Sequence, residues 1–365
     1  MTDLILAERD RIDTPAASAR IDPRTGRVTP ERQGARLDVH QSLDRIERTL
    51  ASGGREAACV VEAEQPARTS EMLAGVRVEA VLGFFETRYS TLEESRDRTF
   101  NLRVAASHID GTVLMPGESL DFNAVVGERN EVNGFRPAPQ IASGEVVDGV
   151  GGGTCQVSGT LHAAALFSAM TITERSPHSR PSAYLWMGLD AMVSYPNQNL
   201  VFRNDQPFPV VVGMTMEAGV LRAEIRGEHA AHLVTFARRI DSVTPFAVRE
   251  VEDSTLPTAV RVLRQRGVPG FHITRYRTVR FVVRNQAIRE RAEDTYPPTE
   301  EIWRVGTGAA AAPGYEPPAG DAHAEYLADH YLSATEGDGT EHAMDTVRTG
   351  GRTAVVGWTR ALITQ

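Results

Sequence analysis

This sequence contains no lysine, and all 39 of its lysine-or-arginine positions are arginine. Arginine and lysine bind anions in different ways, so a bias this complete is better explained by codon composition than by recognition of phosphate or carboxylate. The formal net charge of −9 argues against gripping nucleic acid, a task that needs a clustered basic surface. We therefore expect no nucleic acid partner.

Cysteines and long apolar runs are scarce as well. Cys59 and Cys155 lack metal-ligand spacing and can form at most one disulfide, so we expect neither a zinc site nor another cofactor. No stretch approaches the roughly 20 apolar residues that cross a bilayer, which predicts no transmembrane segment. Met1 is not followed by a basic region and an apolar core, so no secretory signal is expected there.

The sequence has enough hydrophobic residues to form several hydrophobic cores. Hydrophobic residues make up 41% of the 365 residues, which is ordinary for globular proteins and sufficient for two or three domains. We predict a multi-domain α+β fold whose central mixed α/β domain packs a buried helix against antiparallel sheet. Its predicted parts are a small α+β domain at 1–75, the central domain at 76–230, a β-rich module at 231–306 and a flexible acidic tail at 307–365.

Local patterns support this division. Residues 18–29 predict a hairpin, and apolar residues at helical spacing predict a helix from Asp38 to the Gly53-Gly54 pair. In the central domain we expect a helix over 100–109 and a hairpin that turns near 217–219.

The remaining patterns are strands and one weak helix. The β-rich module should contain strands at 260–262 and 276–283, and the tail shows one possible short helix at 325–332.

Three blocks of the central domain resemble the VanW family, and they read LMPGESLDFN at 114–123, GGGTCQVS at 151–158 and ERSPHS at 174–179. The segment YLWMGLDA at 184–191 and the pair Arg203-Asn204 follow in the family's order, whereas Gly159 replaces the usual small hydroxyl residue.

The flanking segments carry two further resemblances. Residues 1–75 resemble, more weakly, a peptidoglycan-binding domain that often precedes VanW domains, and residues 250–306 resemble a G5-type β module. Together the resemblances imply an extracytoplasmic protein of the bacterial cell envelope whose partner is peptidoglycan or another cell-wall polymer. They imply no reaction, so the chemistry has to be argued from the residues.

The glycine-rich loop before Cys155 is the strongest candidate site. Glycines let the backbone approach a ligand, and Thr154 could cap a helix that begins near Cys155. A thiol at a helix N-terminus has a lowered pKa and lies beside backbone N–H groups that could hold an oxyanion. The alternative is a small cysteine that packs under a glycine turn. The substrate-binding candidates around this loop are Gly152, Gly153, Gln156, Ser158 and Tyr184.

His178 and Asp190 could complete a triad with Cys155. Cysteine at a helix start, followed by histidine and a carboxylate on successive strands, resembles the order in papain-like enzymes. Alternatively, His178 bonds a loop and Asp190 caps a turn. His162, two helical turns after Cys155, is expected to be structural.

Glu118 offers a different chemistry. A carboxylic acid buried beside Leu120 and Phe122 would have a raised pKa and could protonate a glycosidic oxygen, with Asp121 as its partner. The alternative is a carboxylate that caps a turn.

Arg175 and Arg203 could hold a substrate carboxylate or form ion pairs within the domain. Three functions thus stay open: a thiol hydrolase or transpeptidase acting on stem peptides, a non-catalytic wall-binding protein, and a glycan-cleaving enzyme that uses Glu118.

Overall fold

The computed structural model describes residues 2–142, 145–182, 184–283 and 285–320 and the strands at 340–346 and 356–363. The fold is mixed and multi-modular, as expected, and it is richer in antiparallel strands than in helices. The helices are α1 (Thr2–Ile12), α2 (Val39–Ala51), α3 (Arg96–Ile109), α4 (Phe122–Val126) and α5 (Thr154–Phe167), with a 3-10 turn at Glu93–Ser95.

The N-terminal unit joins α1 and α2 to four short strands. Its strands are β1 (Arg20–Ile21), β2 (Val28–Thr29), β3 (Gly34–Asp38) and β4 (Val60–Glu64). The predicted hairpin is confirmed, since β1 pairs with β2. Asp38 caps α2 as expected, because its side chain accepts a hydrogen bond from the Gln41 N–H at 2.8 Å.

Three antiparallel sheets make up the central part. The strands are β5 (Ala80–Arg88), β6 (Thr112–Leu114), β7 (Ser119–Asp121), β8 (Pro137–Ala142), β9 (Glu145–Val150), β10 (Thr171–Glu174), β11 (Val201–Arg203), β12 (Val210–Glu217) and β13 (Val220–Gly227). They pair in the orders β5-β13-β12-β6, β10-β11-β7 and β8-β9. The hairpin predicted near residue 218 is confirmed as β12–β13.

Helix α5 is the centre of this core. It is apolar on most of its faces, so it can be stable only when it is enclosed, and its side chains are buried almost throughout. Phe167 stacks on Phe85 of β5 with ring centroids 6.0 Å apart, and the Thr160 and Thr87 hydroxyls hydrogen-bond at 2.9 Å. Each fully buried side chain such as Leu161 contributes about 1.5–3 kcal/mol. The predicted buried helix is thus confirmed.

The β-rich module follows, and its strands are β14 (His232–Thr244), β15 (Val248–Pro257), β16 (Arg261–Gln265), β17 (Gly270–Phe281), β18 (Gln286–Tyr296), β19 (Glu301–Gly308), β20 (Thr340–Thr346) and β21 (Val356–Ile363). One sheet has the order β18-β17-β14-β20-β21, and the other has β15-β19-β16, in which β15 and β19 are parallel.

The predicted flexible tail is wrong for two segments, because β20 pairs with β14 and β21 pairs with β20. Without β20, strand β14 would be the edge of its sheet, with unpaired N–H and C=O groups that the tail's own periodicity cannot reveal. The possible helix at 325–332 lies outside the described residues.

A long irregular segment, residues 175–200, connects β10 to β11. His178 and Asp190 were expected on successive strands, and that expectation is wrong because neither lies in a strand. Pro177 and Pro181 have no N–H groups to donate to a sheet, and the backbone N–H of His178 donates to the Asp190 carboxylate instead. The predicted triad therefore lies on a helix and an irregular segment rather than on successive strands.

Candidate active site

The glycine-rich loop turns the chain into α5. Gly151 and Gly153 adopt φ values of +90° and +101°, which side chains rarely allow. A Cβ on Gly152 would lie 2.4 Å from the Ala138 carbonyl oxygen, so this loop passes directly against β8. The predicted cap is wrong: Gly153 is the N-cap, and the Thr154 hydroxyl donates to the Gly151 carbonyl.

Cys155 lies in the first turn of α5 and is half-buried. Its Sγ lies 3.5 Å from the Val193 carbonyl oxygen. Among the described residues, the Cys155 backbone N–H has no acceptor, so it remains available to a ligand oxygen at the positive end of the helix. The thiol and a hydrogen-bond donor are therefore adjacent.

Cys155 and His178 lie close enough for each to shift the pKa of the other. Burial raises the pKa of the Cys155 thiol, but the effects of His178, Val193 and Arg129 together outweigh burial, and the pKa lies below its usual 9.0. Burial lowers the pKa of His178, but bonds with Asp190 and Cys155 raise it from 6.5 to about 10. The pair therefore favours thiolate and imidazolium, which is the state a nucleophilic cysteine requires.

Asp190 orients the imidazole. Its Oδ2 lies 2.8 Å from His178 Nδ1 and also accepts the His178 backbone N–H at 2.8 Å. Because Nδ1 is bound to the carboxylate, Nε2 is the nitrogen left to face the thiol. Burial raises the pKa of Asp190, yet Arg175 and His178 hold it well below its usual range. Cysteine, histidine and a charged aspartate thus lie in series.

A cleft of about 720 Å³ opens over this series. Cys155, His178 and two predicted substrate-binding glycines, Gly152 and Gly153, line the cleft. Tyr184 lines one side, with its hydroxyl 3.5 Å from His178 Nε2 and the Arg98 guanidinium 5.9 Å from its ring centroid. The size and mixed polarity of the cleft suit a peptide-sized ligand.

Gln156 and Ser158 do not line the cleft. Gln156 accepts from Arg98 and donates to the Arg88 carbonyl, while Ser158 donates to the Ala191 carbonyl at 2.6 Å. Both side chains are buried. Their contacts hold α5 against its neighbours, so the structure gives them a supporting role rather than a binding one.

The two arginine candidates form ion pairs. Arg175 donates to Asp190 at 2.8 Å and to Asp294 at 2.5 Å, and its side chain is 2% exposed. Arg203 pairs with Asp205 at the surface. Neither lines the cleft, so the ion-pair alternative describes them better than carboxylate binding.

The expected raised pKa of Glu118 is wrong. Partial burial raises its pKa, but a hydrogen bond from Arg68 at 2.6 Å and one from the Met115 N–H lower it overall. Asp121 caps α4 by accepting from the Ala124 N–H. A general acid needs the opposite shift, and Glu118 does not line the cleft.

His162 is structural, as expected. It is fully buried, and its Nδ1 lies 2.7 Å from the Leu189 carbonyl oxygen. Burial, together with the charges of Arg175 and Arg275, lowers its pKa to about 3, so the ring is neutral.

Sequence reasoning missed Arg129 and Tyr296. Arg129 lines the cleft, and its charge helps to lower the pKa of Cys155. Tyr296 donates to Asp190 Oδ1 at 2.6 Å from the β-rich module, 106 residues away in sequence. No local pattern marks Arg129, and Tyr296 stood out only as part of the G5-type resemblance.

Metal ligands and membrane-spanning helices are both missing from the described part of the chain. Within those residues, no group of three or more histidine, cysteine or carboxylate side chains could hold a metal ion. No helix in the same ranges is both long and apolar enough to cross a bilayer.

Comparisons with known proteins agree on the central part. The family described as "VanW like protein" matches residues 97–226. The uncharacterized protein YoaR of Bacillus subtilis (strain 168) is 33% identical over 188 residues, which are 51% of this chain and 61% of YoaR. The vancomycin B-type resistance protein VanW of Enterococcus faecalis (strain ATCC 700802 / V583) is 29% identical over 126 residues, 33% of this chain and 46% of that protein.

The chain therefore spans about three fifths of one curated relative and under half of the other. Among solved structures, the IgA1 protease G5 domain matches this chain with 20% sequence identity and a TM-score of 0.15. The match covers 22% of this chain and 99% of the G5 domain chain.

Proposed function

We propose that this chain, in which residues 97–226 match the VanW family model and are called the family domain below, is a cell-envelope thiol enzyme. Its substrate would be an amide bond in the stem peptides of peptidoglycan. The observation that carries the proposal is that Cys155 and His178 line an open cleft and shift each other's pKa, while Asp190 binds the His178 ring from behind. The envelope location rests on the family resemblance.

The reaction begins from the thiolate and imidazolium. Cys155 Sγ attacks the amide carbonyl carbon, a C–S bond forms, and the Cys155 N–H donates to the resulting oxyanion. His178 gives its Nε2 proton to the amide nitrogen, the C–N bond breaks, and an acyl-enzyme and a free amine result.

The acyl-enzyme is then resolved by a second nucleophile. Water or an amine attacks the acyl carbon and gives a proton to His178, and the C–S bond breaks to restore the thiolate. Water makes the enzyme a hydrolase, and an amine makes it a transpeptidase. Asp190 keeps its charge throughout and holds the imidazole in one tautomer.

A second candidate function is non-catalytic binding to the wall. Its support is the partial burial of Cys155 and the two flanking segments, residues 1–75 and 250–306, that resemble wall-associated modules. Binding of this kind would need the cleft but not the thiol.

Purified peptidoglycan distinguishes these functions. Wild type, Cys155→Ala, Cys59→Ala and Glu118→Gln are incubated with it, and the released fragments are identified by mass spectrometry. We expect peptide-bond products from every protein except Cys155→Ala. Cys59→Ala is the matched control because it removes the chain's other thiol.

Two outcomes would contradict the proposal. Equal release by Cys155→Ala would separate the activity from the thiol. Absence of any release by wild type, with wall binding retained in Cys155→Ser, would favour the binding protein.

A further inference from the structure

Tyr296 lies at the end of β18, 70 residues beyond the family domain, and is 1% exposed. Its hydroxyl donates to Asp190 Oδ1 at 2.6 Å and accepts the Gly188 backbone N–H at 2.8 Å. One phenol therefore holds both the triad carboxylate and the segment that carries it.

Charged side chains surround the hydrogen bond between Tyr296 and Asp190. Asp294, on the same strand, accepts from Arg175 at 2.5 Å, and Arg275 of β17 approaches Asp294 at 3.1 Å. Arg175 in turn donates to Oδ1 of Asp190, the same oxygen that Tyr296 binds. One oxygen of the carboxylate thus has two donors, Tyr296 of the β-rich module and Arg175, which is itself bound to Asp294 of that module.

Apolar packing makes the contact rigid. Met187, three residues before Asp190, is buried in one cluster with Ile240, Phe271, Ile273 and Tyr296. A Cβ on Gly188 would come within 2.9 Å of Phe236 Cζ, so the backbone there touches the module directly. Buried, close-packed groups of this kind keep a side chain within a narrow range of positions.

We propose that Tyr296 is a positioning residue for Cys155, His178 and Asp190, so that the β-rich module completes the active site. By binding Oδ1 together with Arg175, Tyr296 leaves Oδ2 to His178 Nδ1, so that Nε2 is the ring nitrogen available to the thiol. It does not line the cleft and touches no substrate. The catalytic meaning of this role rests on the proposed function, but the geometric effect on the thiol does not.

The test measures the thiol rather than the reaction. In a Cys59→Ser background, the rate of Cys155 alkylation by iodoacetamide is measured from pH 5 to 10 in wild type, Tyr296→Phe and Tyr276→Phe. Tyr276 is a matched control because it lies on the same sheet and its ring contacts Arg289 instead of Asp190. Thermal unfolding of each variant reports stability separately.

We expect Tyr296→Phe to move the alkylation midpoint upward by up to about one pH unit and to slow alkylation at pH 6 by roughly 2- to 10-fold. Tyr276→Phe should leave the profile unchanged. A lower unfolding temperature with an unchanged profile would reduce Tyr296 to a structural contact and overturn the proposal. A downward shift of the alkylation midpoint would also overturn it. That result would mean that the hydrogen bond from Tyr296 only weakens the effect of the Asp190 charge on His178.

The two proposals fail in different ways. If wild type releases no product from peptidoglycan but Tyr296→Phe shifts the thiol profile, the enzymatic function fails and the positioning role stands. If product is released but the profile does not move, the positioning role fails alone.

Discussion

Asp190 accepts hydrogen bonds from the His178 backbone and ring, from Arg175 and from Tyr296. A buried carboxylate with this many donors remains charged, because each bond offsets part of the cost of removing it from water. The charge on Asp190 in turn raises the pKa of His178, and His178 lowers that of Cys155. The pKa of the Cys155 thiol is therefore set by a chain of pairwise contacts.

These shifts predict the pH profile of Cys155. Its pKa lies below the usual 9.0, and that of His178 is raised to about 10, so the ion pair should exist between the two values. Alkylation should rise at a pH below 9 and hold a plateau to about pH 10. In His178→Ala the rise should return to the ordinary thiol range, while His40→Ala, at an exposed position, should change nothing. Mass spectrometry of the Cys155 peptide measures both.

The same two pKa shifts make the folding stability depend on pH, each in its own direction. The lowered pKa of Cys155 contributes stability that is fully present above pH 9 and is lost as pH falls through the folded value. The raised pKa of His178 contributes stability that is present below pH 6.5 and is lost as pH rises through about 10. A wild-type alkylation midpoint at or above pH 9 would contradict the lowered pKa of Cys155.

At the scale of elements, the site is a junction between the start of α5 and the irregular segment at 175–200. A buried segment without regular structure must satisfy its backbone groups through side chains. His162 and Ser158 of α5 bind the Leu189 and Ala191 carbonyls, and Arg175 binds the Asp190 carbonyl at 2.6 Å. The helix therefore positions both Cys155 and the backbone on either side of Asp190.

The glycine loop allows a steric prediction. In Gly152→Ala the new Cβ would meet the Ala138 and Pro139 carbonyl oxygens at 2.4 and 2.6 Å, so β8 or the loop must move. We expect a loss of about 1–3 kcal/mol in the free energy of unfolding and slower alkylation of Cys155. Urea titration and labelling kinetics measure the two effects.

Gly134→Ala is the control for this change. Gly134 has a φ of +84°, and a Cβ added there would have no neighbouring atom within 4 Å, so alanine costs only backbone strain of about 1–2 kcal/mol. Its thiol should react like wild type. Normal thiol kinetics in Gly152→Ala would show that the close contact with β8 does not shape the site.

At the scale of the whole molecule, the β-rich module and the family domain share a core. Met187 and Tyr296 come from different modules but lie in one buried cluster. Arg277 of β17 also donates to the Met170 carbonyl at 2.7 Å, just after α5 ends. The two modules are therefore coupled physically, although their sequences suggest separate units.

Met187→Ala tests this coupling. Removing a side chain that is 2% exposed should cost about 2–5 kcal/mol, whereas Met72→Ala, at a position 50% exposed, should change stability by no more than about 0.5 kcal/mol. Urea unfolding gives the free energies. If Met187→Ala matched Met72→Ala, the interface between the modules would contribute little to folding.

The local elements and the nucleophile candidate could be predicted from the sequence, because they depend on neighbouring residues. Helical spacing and a capping residue identified α2, continuous apolar residues identified α5, and the glycines before Cys155 marked the tight entry to that helix. His178 and Asp190 were also found, since they follow Cys155 within a single family segment.

How those residues interact depends on contacts that form only in the folded chain. The raised pKa of His178, the low pKa of Glu118 and the anchoring of Asp190 by Tyr296 all depend on partners distant in sequence. The pairing of β20 with β14 is of the same kind. Electrostatic effects and strand pairing act through space, so a pattern read along the chain can name the candidate groups but cannot assign their partners or their charges.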